Sequence, residues 1–205
     1  QTVTVNWTIV NAGIGTASGT WTDRIYLSSS GSDTGAVLLG LQTRTGLLAS
    51  GASYSASADL VLPSLADGAY HFVVRTDASD TVLERGAEGN NLGVAEGQIE
   101  IRHPDLNVTS VVVNPSAVSG ASIPVDWTVR NVGTATTPGA WTDRLYLSSD
   151  ASFDGSDRFL GALTHGGALD VSDSYQGHLD VSLPIDVSGR QFILVRTDED
   201  GAVNE

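Results

Sequence analysis

The chain has 205 residues, room for one large domain or two ordinary ones, and carries 24 Asp and Glu against 10 basic residues, a formal charge of −14. Every basic residue is Arg, and Cys, Met and Lys are absent, which excludes a disulfide scaffold, a thiolate metal site and a cysteine nucleophile together. A surface this acidic disfavours nucleic acid and anionic membranes, and no apolar run approaches the ~18 residues a membrane helix needs.

Along the chain the pattern is β. Val3, Val5, Trp7 and Ile9 alternate with polar residues at period two, which predicts a strand with one buried face. A Gly-containing turn follows, then the run Trp21 to Ser29. Tyr54, Ala56, Ala58, Leu60 and Leu62 form a second alternating set. Tyr70 to Val74 is nearly continuous in apolar residues, as suits a central strand, and a last strand is expected near Val94 to Ile101. Pro104 to Pro115 then reads as an opening strand. Ile123 to Val129, Trp141 to Ser149, Tyr175 to Leu183 and Phe192 to Val195 repeat the earlier order.

These runs are two copies of one unit. Positions 5 to 29 match positions 125 to 149 at an offset of 120, with 15 of 25 identical, too many for chance. Beyond the next loop the offset is 121, so Tyr54 matches Tyr175 and Val74-Arg75-Thr76-Asp77 matches Val195-Arg196-Thr197-Asp198. Short strands separated by Gly, Asn, Asp and Ser clusters, about seven per copy, predict an all-β chain of two tandem immunoglobulin-like β-sandwiches. The boundary falls at His103-Pro104, giving copies at 1–103 and 104–205. The first copy has no equivalent of the Pro104 strand, and the second has none of the Val94 strand. Each sandwich is expected to be incomplete at its chain end, as in a window cut across a longer array.

The motifs Pro104-Asp105-Leu106, Trp127 to Gly133, Leu145 to Ser149, Arg196 to Asp198 and Glu84 through Asn91 together resemble CARDB, the cell-adhesion-related domain found in bacteria. The likeness covers essentially the whole chain as two incomplete copies. It departs where Glu84 to Glu88 spans one residue more than the family's usual Glu-x-x-Glu spacing. The resemblance implies an extracellular or cell-surface location, an adhesion or spacer role, and no catalytic chemistry. The alternatives are a glycan- or protein-binding accessory domain of a secreted enzyme, and a strand-donating subunit of an extracellular filament. Expected partners are neighbouring repeats, or another copy by strand addition, and a cell-surface glycan or protein.

Candidate sites are few. The four histidines, His71, His103, His165 and His178, do not align between copies, and no Gly-x-Ser-x-Gly elbow, His-Glu-x-x-His or phosphate loop occurs, so no catalytic residue is expected. Asp150, Ser152, Asp154 and Asp157 place oxygen atoms at calcium-loop spacing, but Gly161 stands where an EF-hand has its bidentate Glu. Calcium is therefore one reading of this loop; an acidic turn capped by its own carboxylates is the other. Asp77 with Glu84, and Asp198 with Glu205, read as a hydrogen-bonded turn or as a cation site between repeats. Trp7 and Trp127 are core residues; Trp21 and Trp141 are either strand starts or sugar-stacking platforms. Asp23-Arg24 and Asp143-Arg144 face opposite sides of a strand, with partners expected on adjacent strands.

Overall fold

The computed structural model describes residues 1–84 and 88–205; the stretch between Glu84 and Glu88, where the spacing departs from the family pattern, falls outside the described residues. The chain forms two compact units, Gln1–Ile101 and Arg102–Glu205.

In the first unit, β1 (Thr2–Val10) pairs antiparallel with β4 (Ser53–Val61). A second sheet runs β3-β2-β5-β6, built from Val37–Leu48, Ala17–Ser28, Gly68–Arg75 and Leu92–Ile101. In the second unit one sheet runs β11-β8-β7, from Ser174–Ser182, Ser122–Asn131 and Leu106–Val113. The other runs β10-β9-β12, from Arg158–His165, Trp141–Ser148 and Phe192–Arg196. Each unit is thus two antiparallel sheets stacked on an apolar layer, the arrangement of a β-sandwich.

Six strands are described per unit instead of seven, because the copies lack different members of one seven-strand set. Among the described residues, β7 has no counterpart in the first unit and β6 has none in the second. β5 is accordingly central, between β2 and β6, whereas β12 is an edge strand paired, among the described residues, with β9 alone. The change of offset from 120 to 121 lies between Ser29 and Val37. Both copies carry a bulge at the same place, after which Ile25 faces Gly40 and Leu145 faces Gly161.

The period-two pattern becomes burial in different degrees. Along β8, Ile123, Val125, Trp127 and Val129 are all buried, and with Leu106, Leu145, Val181 and Val203 they belong to one core cluster. Along β1 only Trp7 is buried; Val3, Val5 and Ile9 are half-exposed, and the cluster of buried residues shrinks to Trp7, Ile25 and Leu60. The sequence pattern is the same, so the difference comes from the missing cover of a β7-type strand.

Candidate functional sites

The repeated polar residues converge on one buried group per unit. Asp23 lies on the inward face of β2 and is 2% exposed. Its carboxylate accepts hydrogen bonds from the Trp7 indole N–H at 2.8 Å, the Tyr54 hydroxyl at 2.8 Å and the Thr76 hydroxyl at 2.7 Å. Trp21 donates its indole N–H to the Tyr54 oxygen at 3.0 Å. The second unit repeats this on Asp143, which is fully buried and accepts from Trp127 at 2.6 Å and from the Tyr175 hydroxyl. Trp141 donates to Tyr175 at 3.2 Å. Asp143 Oδ1, the counterpart of the oxygen that Thr76 satisfies, has no partner.

A carboxylate held by two or three donors in an apolar layer ties the two sheets together, and breaking such a network is costly. Burial, with smaller contributions from neighbouring groups including the Asp carboxylate, pushes the Tyr54 hydroxyl up to about 12 and moves Tyr175 further upward. Both phenols stay protonated as donors at neutral pH. The partners of Asp23 and Asp143 are therefore not confined to adjacent strands. Trp7 and Tyr54 reach across from the opposite sheet, because the inward face of a sandwich strand meets the other sheet before it meets a neighbour. Arg144 faces outward and pairs with Asp200 at 2.6 Å.

The same network settles the tryptophans. Trp7 and Trp127 are 8% and 1% exposed, and Trp21 and Trp141 are 4% and 1% exposed. The sugar-stacking reading of Trp21 and Trp141 is overturned, since no ligand reaches a ring buried between sheets. What stacks on them is internal. Arg44 sits over Tyr54 at 4.3 Å, and its register counterpart His165 stacks on Tyr175 at 4.0 Å and lies 4.4 Å from Trp141. Burial lowers the His165 pKa.

In the loop after β9, Asp150 Oδ1 accepts from Ser152 N at 2.8 Å. Asp154 Oδ1 accepts from Ser156 N and Oγ at 2.8 and 2.7 Å, and Asp157 Oδ2 accepts from Asp154 N at 2.8 Å. The first copy runs the same i to i+2 ladder with hydroxyls, Ser30 N to Ser28, Ser32 N to Ser30 and Thr34 N to Ser32, at 3.2–3.3 Å. Asp150 thus stands where the sister loop has Ser30, whereas Asp154 and Asp157 correspond to Asp33 and Ala36, which close the same turn through Ala36 N to Asp33 O. Asp150, Asp154 and Asp157 do not converge as a trio.

One acidic trio does converge among the described residues: Asp77, Asp80 and Glu88 bring one oxygen each within 4.8 Å of one another. Loss of solvent and the neighbouring carboxylates Asp80, Glu84 and Asp77 raise the Glu88 pKa. Asp77 is occupied locally, accepting from Thr81 N and Oγ at 3.0 and 2.7 Å and from Val82 N at 2.7 Å. Asp198 does the same for Ala202 and Val203 at 2.8 and 2.9 Å. Asp77 and Asp198 therefore cap a turn. Asp80 was not singled out in the sequence. Its counterpart is Gly201, and both adopt a left-handed backbone, with φ of 53° and 64°.

Glu84 and Glu205 differ in a telling way. Glu205 Oε1 accepts the backbone N–H of Leu106 at 2.5 Å, whereas Glu84 Oε2 is buried without a partner. Beside Glu84, a cavity of about 1120 Å³ opens between β1 and the segment leading to β6, lined among others by Trp7, Ile9, Val74, Val82 and Asn91.

Among solved structures, the chain is similar to red sea bream transglutaminase at 16% identity and TM-score 0.32, covering 96% of this chain and 27% of that one. It is also similar to the secreted serine protease VesC from Vibrio cholerae at 15% identity and TM-score 0.23, covering 96% and 42%. The chain thus spans well under half of either. No curated protein matches it. The CARDB family profile matches residues 1–94 and 103–205, nearly the whole length in two successive copies, and the chain belongs to the CARDB family.

Proposed function

We propose that this chain is a non-catalytic spacer and adhesion segment of a bacterial surface or secreted protein, its two units acting as load-bearing modules. CARDB is a domain family without catalytic chemistry, found in bacterial extracellular proteins. The observation that carries the reading is the repeated Trp-Asp-Tyr network. The Trp, Asp and Tyr of this network, common to both copies, join sheet to sheet, with the Asp carboxylates buried and the indoles enclosed. Repeat modules of this kind extend a chain while each keeps its own core. Single-molecule pulling on the chain tests it. Two separate unfolding events are expected, the second unit yielding at the higher force, and Asp143→Ala should lower that force. A chain that extends without force peaks is no spacer of this kind.

A second reading, glycan or protein capture, is favoured by one feature of the second unit. Phe153 and Phe159 are 43% and 58% exposed, and their rings lie 4.8 and 5.8 Å from Tyr146. Exposed rings of this kind can stack on a sugar face or anchor a partner side chain. Affinity electrophoresis through immobilised polysaccharides separates the readings. Retardation lost in Phe153→Ala and Phe159→Ala supports capture, and unretarded migration leaves the spacer reading alone.

A further inference from the structure

We infer that β3 is a homotypic contact edge, along which the first unit of one chain pairs antiparallel with the first unit of a second copy, about a two-fold axis at Arg44. The inference rests on neither reading proposed above, and its failure would leave both standing. β3 is twelve residues long and pairs with β2 on one side; among the described residues no strand pairs its other side. This free edge is a property of the fold, since β10 holds the same place in the second unit and is likewise paired with β9 alone. Edge strands of native proteins are shielded by charge, proline, short length or a bulge. β3 has little of this. In a chain with 24 acidic residues it carries none, it has no proline, and Arg44 is its single charge. Its bulge lies at the Gly40 end, so residues 41–48 run in unbroken register with residues 17–24 of β2.

The outward face of β3 identifies the partner. Trp21 and Asp23 are buried on the inward face of β2, which leaves Thr20 and Thr22 on the outward face. The register sets Thr45 beside Thr20 and Thr43 beside Thr22, with hydroxyls 2.8 and 3.2 Å apart, so Leu41, Thr43, Thr45 and Leu47 form one outward row. Leu41 and Leu47 are 62% and 72% exposed. The row Leu-Thr-Thr-Leu reads the same in both directions. A second copy laid antiparallel with Arg44 on the axis therefore sets Leu41 of one chain opposite Leu47 of the other and Thr43 opposite Thr45, and the symmetry repeats both pairs. That self-complementarity is what an isologous two-fold contact requires. Apolar and Thr–Thr pairs set directly opposite one another stabilise neighbouring strands, and the free main-chain groups of the two edges supply the hydrogen bonds.

The sister strand shows that the fold itself does not demand this row. Leu41 corresponds to Ala162, Leu47 to Ala168 and Thr45 to Gly166, and β10 ends at His165 after eight residues. The contact is thus confined to the first unit. Arg44 keeps it weak. At the axis it faces its symmetry mate, and like charges directly opposite one another are destabilising. Each guanidinium is drawn back over its own Tyr54 ring, at 4.3 Å, which limits that cost. A single strand edge is also small beside the roughly 1,200 Å² of a stable interface, so a dissociation constant of about 10 μM to 1 mM is expected. Salt screens both the Arg44 pair and the repulsion between two chains of formal charge −14, so association should strengthen as ionic strength rises.

The test is sedimentation velocity of the full 205-residue chain over a range of concentrations reaching millimolar. The expected result is a monomer–dimer equilibrium that shifts toward dimer between about 0.05 and 0.5 M salt. Leu41→Ala together with Leu47→Ala, which gives β3 the residues of its sister strand, should leave the melt unchanged and remove the dimer. Phe159→Ala, at an exposed ring of the second unit, should leave the dimer intact. Because the chain has no cysteine, Leu41→Cys and Leu47→Cys each carry one thiol. Under mild oxidation a mixture of these two variants should form a covalent dimer much faster than either variant alone. A chain that stays monomeric at millimolar concentration overturns the inference. So does a dimer that the paired alanine changes leave intact, or cross-linking as fast within one variant as in the mixture.

Discussion

The Trp127 indole N–H points at the Asp143 carboxylate at 2.6 Å, and the same bond joins Trp7 to Asp23 at 2.8 Å, sixteen residues apart in each copy. Removal of Trp127 therefore deletes a core ring and takes from a buried carboxylate oxygen one of its two donors, leaving it the Tyr175 hydroxyl. Trp127→Ala is expected to destabilise the second unit by roughly 3–5 kcal/mol. Trp7→Ala should cost its own unit less, because Trp7 is 8% exposed and belongs to a smaller core. Denaturant melts of the two variants check this order; equal melts for parent and Trp127→Ala would remove the ring from the core.

Asp143→Ala should cost about 2–5 kcal/mol, since the Trp127 N–H and the Tyr175 hydroxyl would both lose a buried acceptor. Trp127→Phe together with Tyr175→Phe in the Asp143→Ala background should cost less than the sum of the separate changes, because the two donors that faced Asp143 are then gone and the Trp141 N–H alone loses its acceptor. A double-mutant cycle measures the difference, and simple additivity would show that the three groups do not act as one network.

Alkaline pH isolates the tyrosines. The chain has five Tyr and neither Lys nor Cys, so tyrosines are the side chains that titrate between pH 9 and 12. Tyr54 has its pKa raised from 10.0 to about 12 in the folded chain. Below pH 10 it is neutral whether folded or unfolded, and its contribution is fully present. Above pH 10 the unfolded chain ionises first, so stability is lost as pH rises toward 12. The melting temperature of the first unit should fall across that window. Absorbance at 295 nm should show Tyr54 and Tyr175 ionising last; early ionisation of all five would contradict the buried network.

For the loop after β9, the hydrogen-bond ladder sets the expectation. Millimolar calcium should leave the melt of the second unit unchanged, because the Asp150, Asp154 and Asp157 carboxylates already hold backbone N–H groups of the loop. Asp154→Ala should lower the melt slightly, and equally with or without calcium. A calcium-dependent rise that EDTA reverses and Asp154→Ala removes would establish the metal instead.

Gly177 offers a packing test of the difference between the copies. A Cβ there would stand 2.2 Å from the Trp127 ring, while its register counterpart opposite Trp7 is Ala56. Gly177→Ala should destabilise the second unit by about 1–3 kcal/mol, because the ring is held by its bond to Asp143 and cannot retreat. A neutral melt would mean that the ring is free to move.

The sequence by itself determined the repeat, the strand runs and the core placement of Trp7 and Trp127. Those features rest on local rules: a strand alternates its faces residue by residue, and an offset of 120 can be read without any contact. Trp7, Val125 and Trp127 could be placed inward from their neighbours alone. The tertiary structure decided what the polar residues do. Asp23 meets Tyr54 across the sandwich, and Asp80 joins Asp77 and Glu88 through a left-handed turn. Glu84 is left with an open acceptor where Glu205 is satisfied. None of these follows from a period of two, because each depends on which backbone the fold brings opposite a side chain. The repeated Asp23 and Asp143, polar residues kept in an apolar setting, were the signal in the sequence. Only the stacking of the two sheets gave that signal its partners.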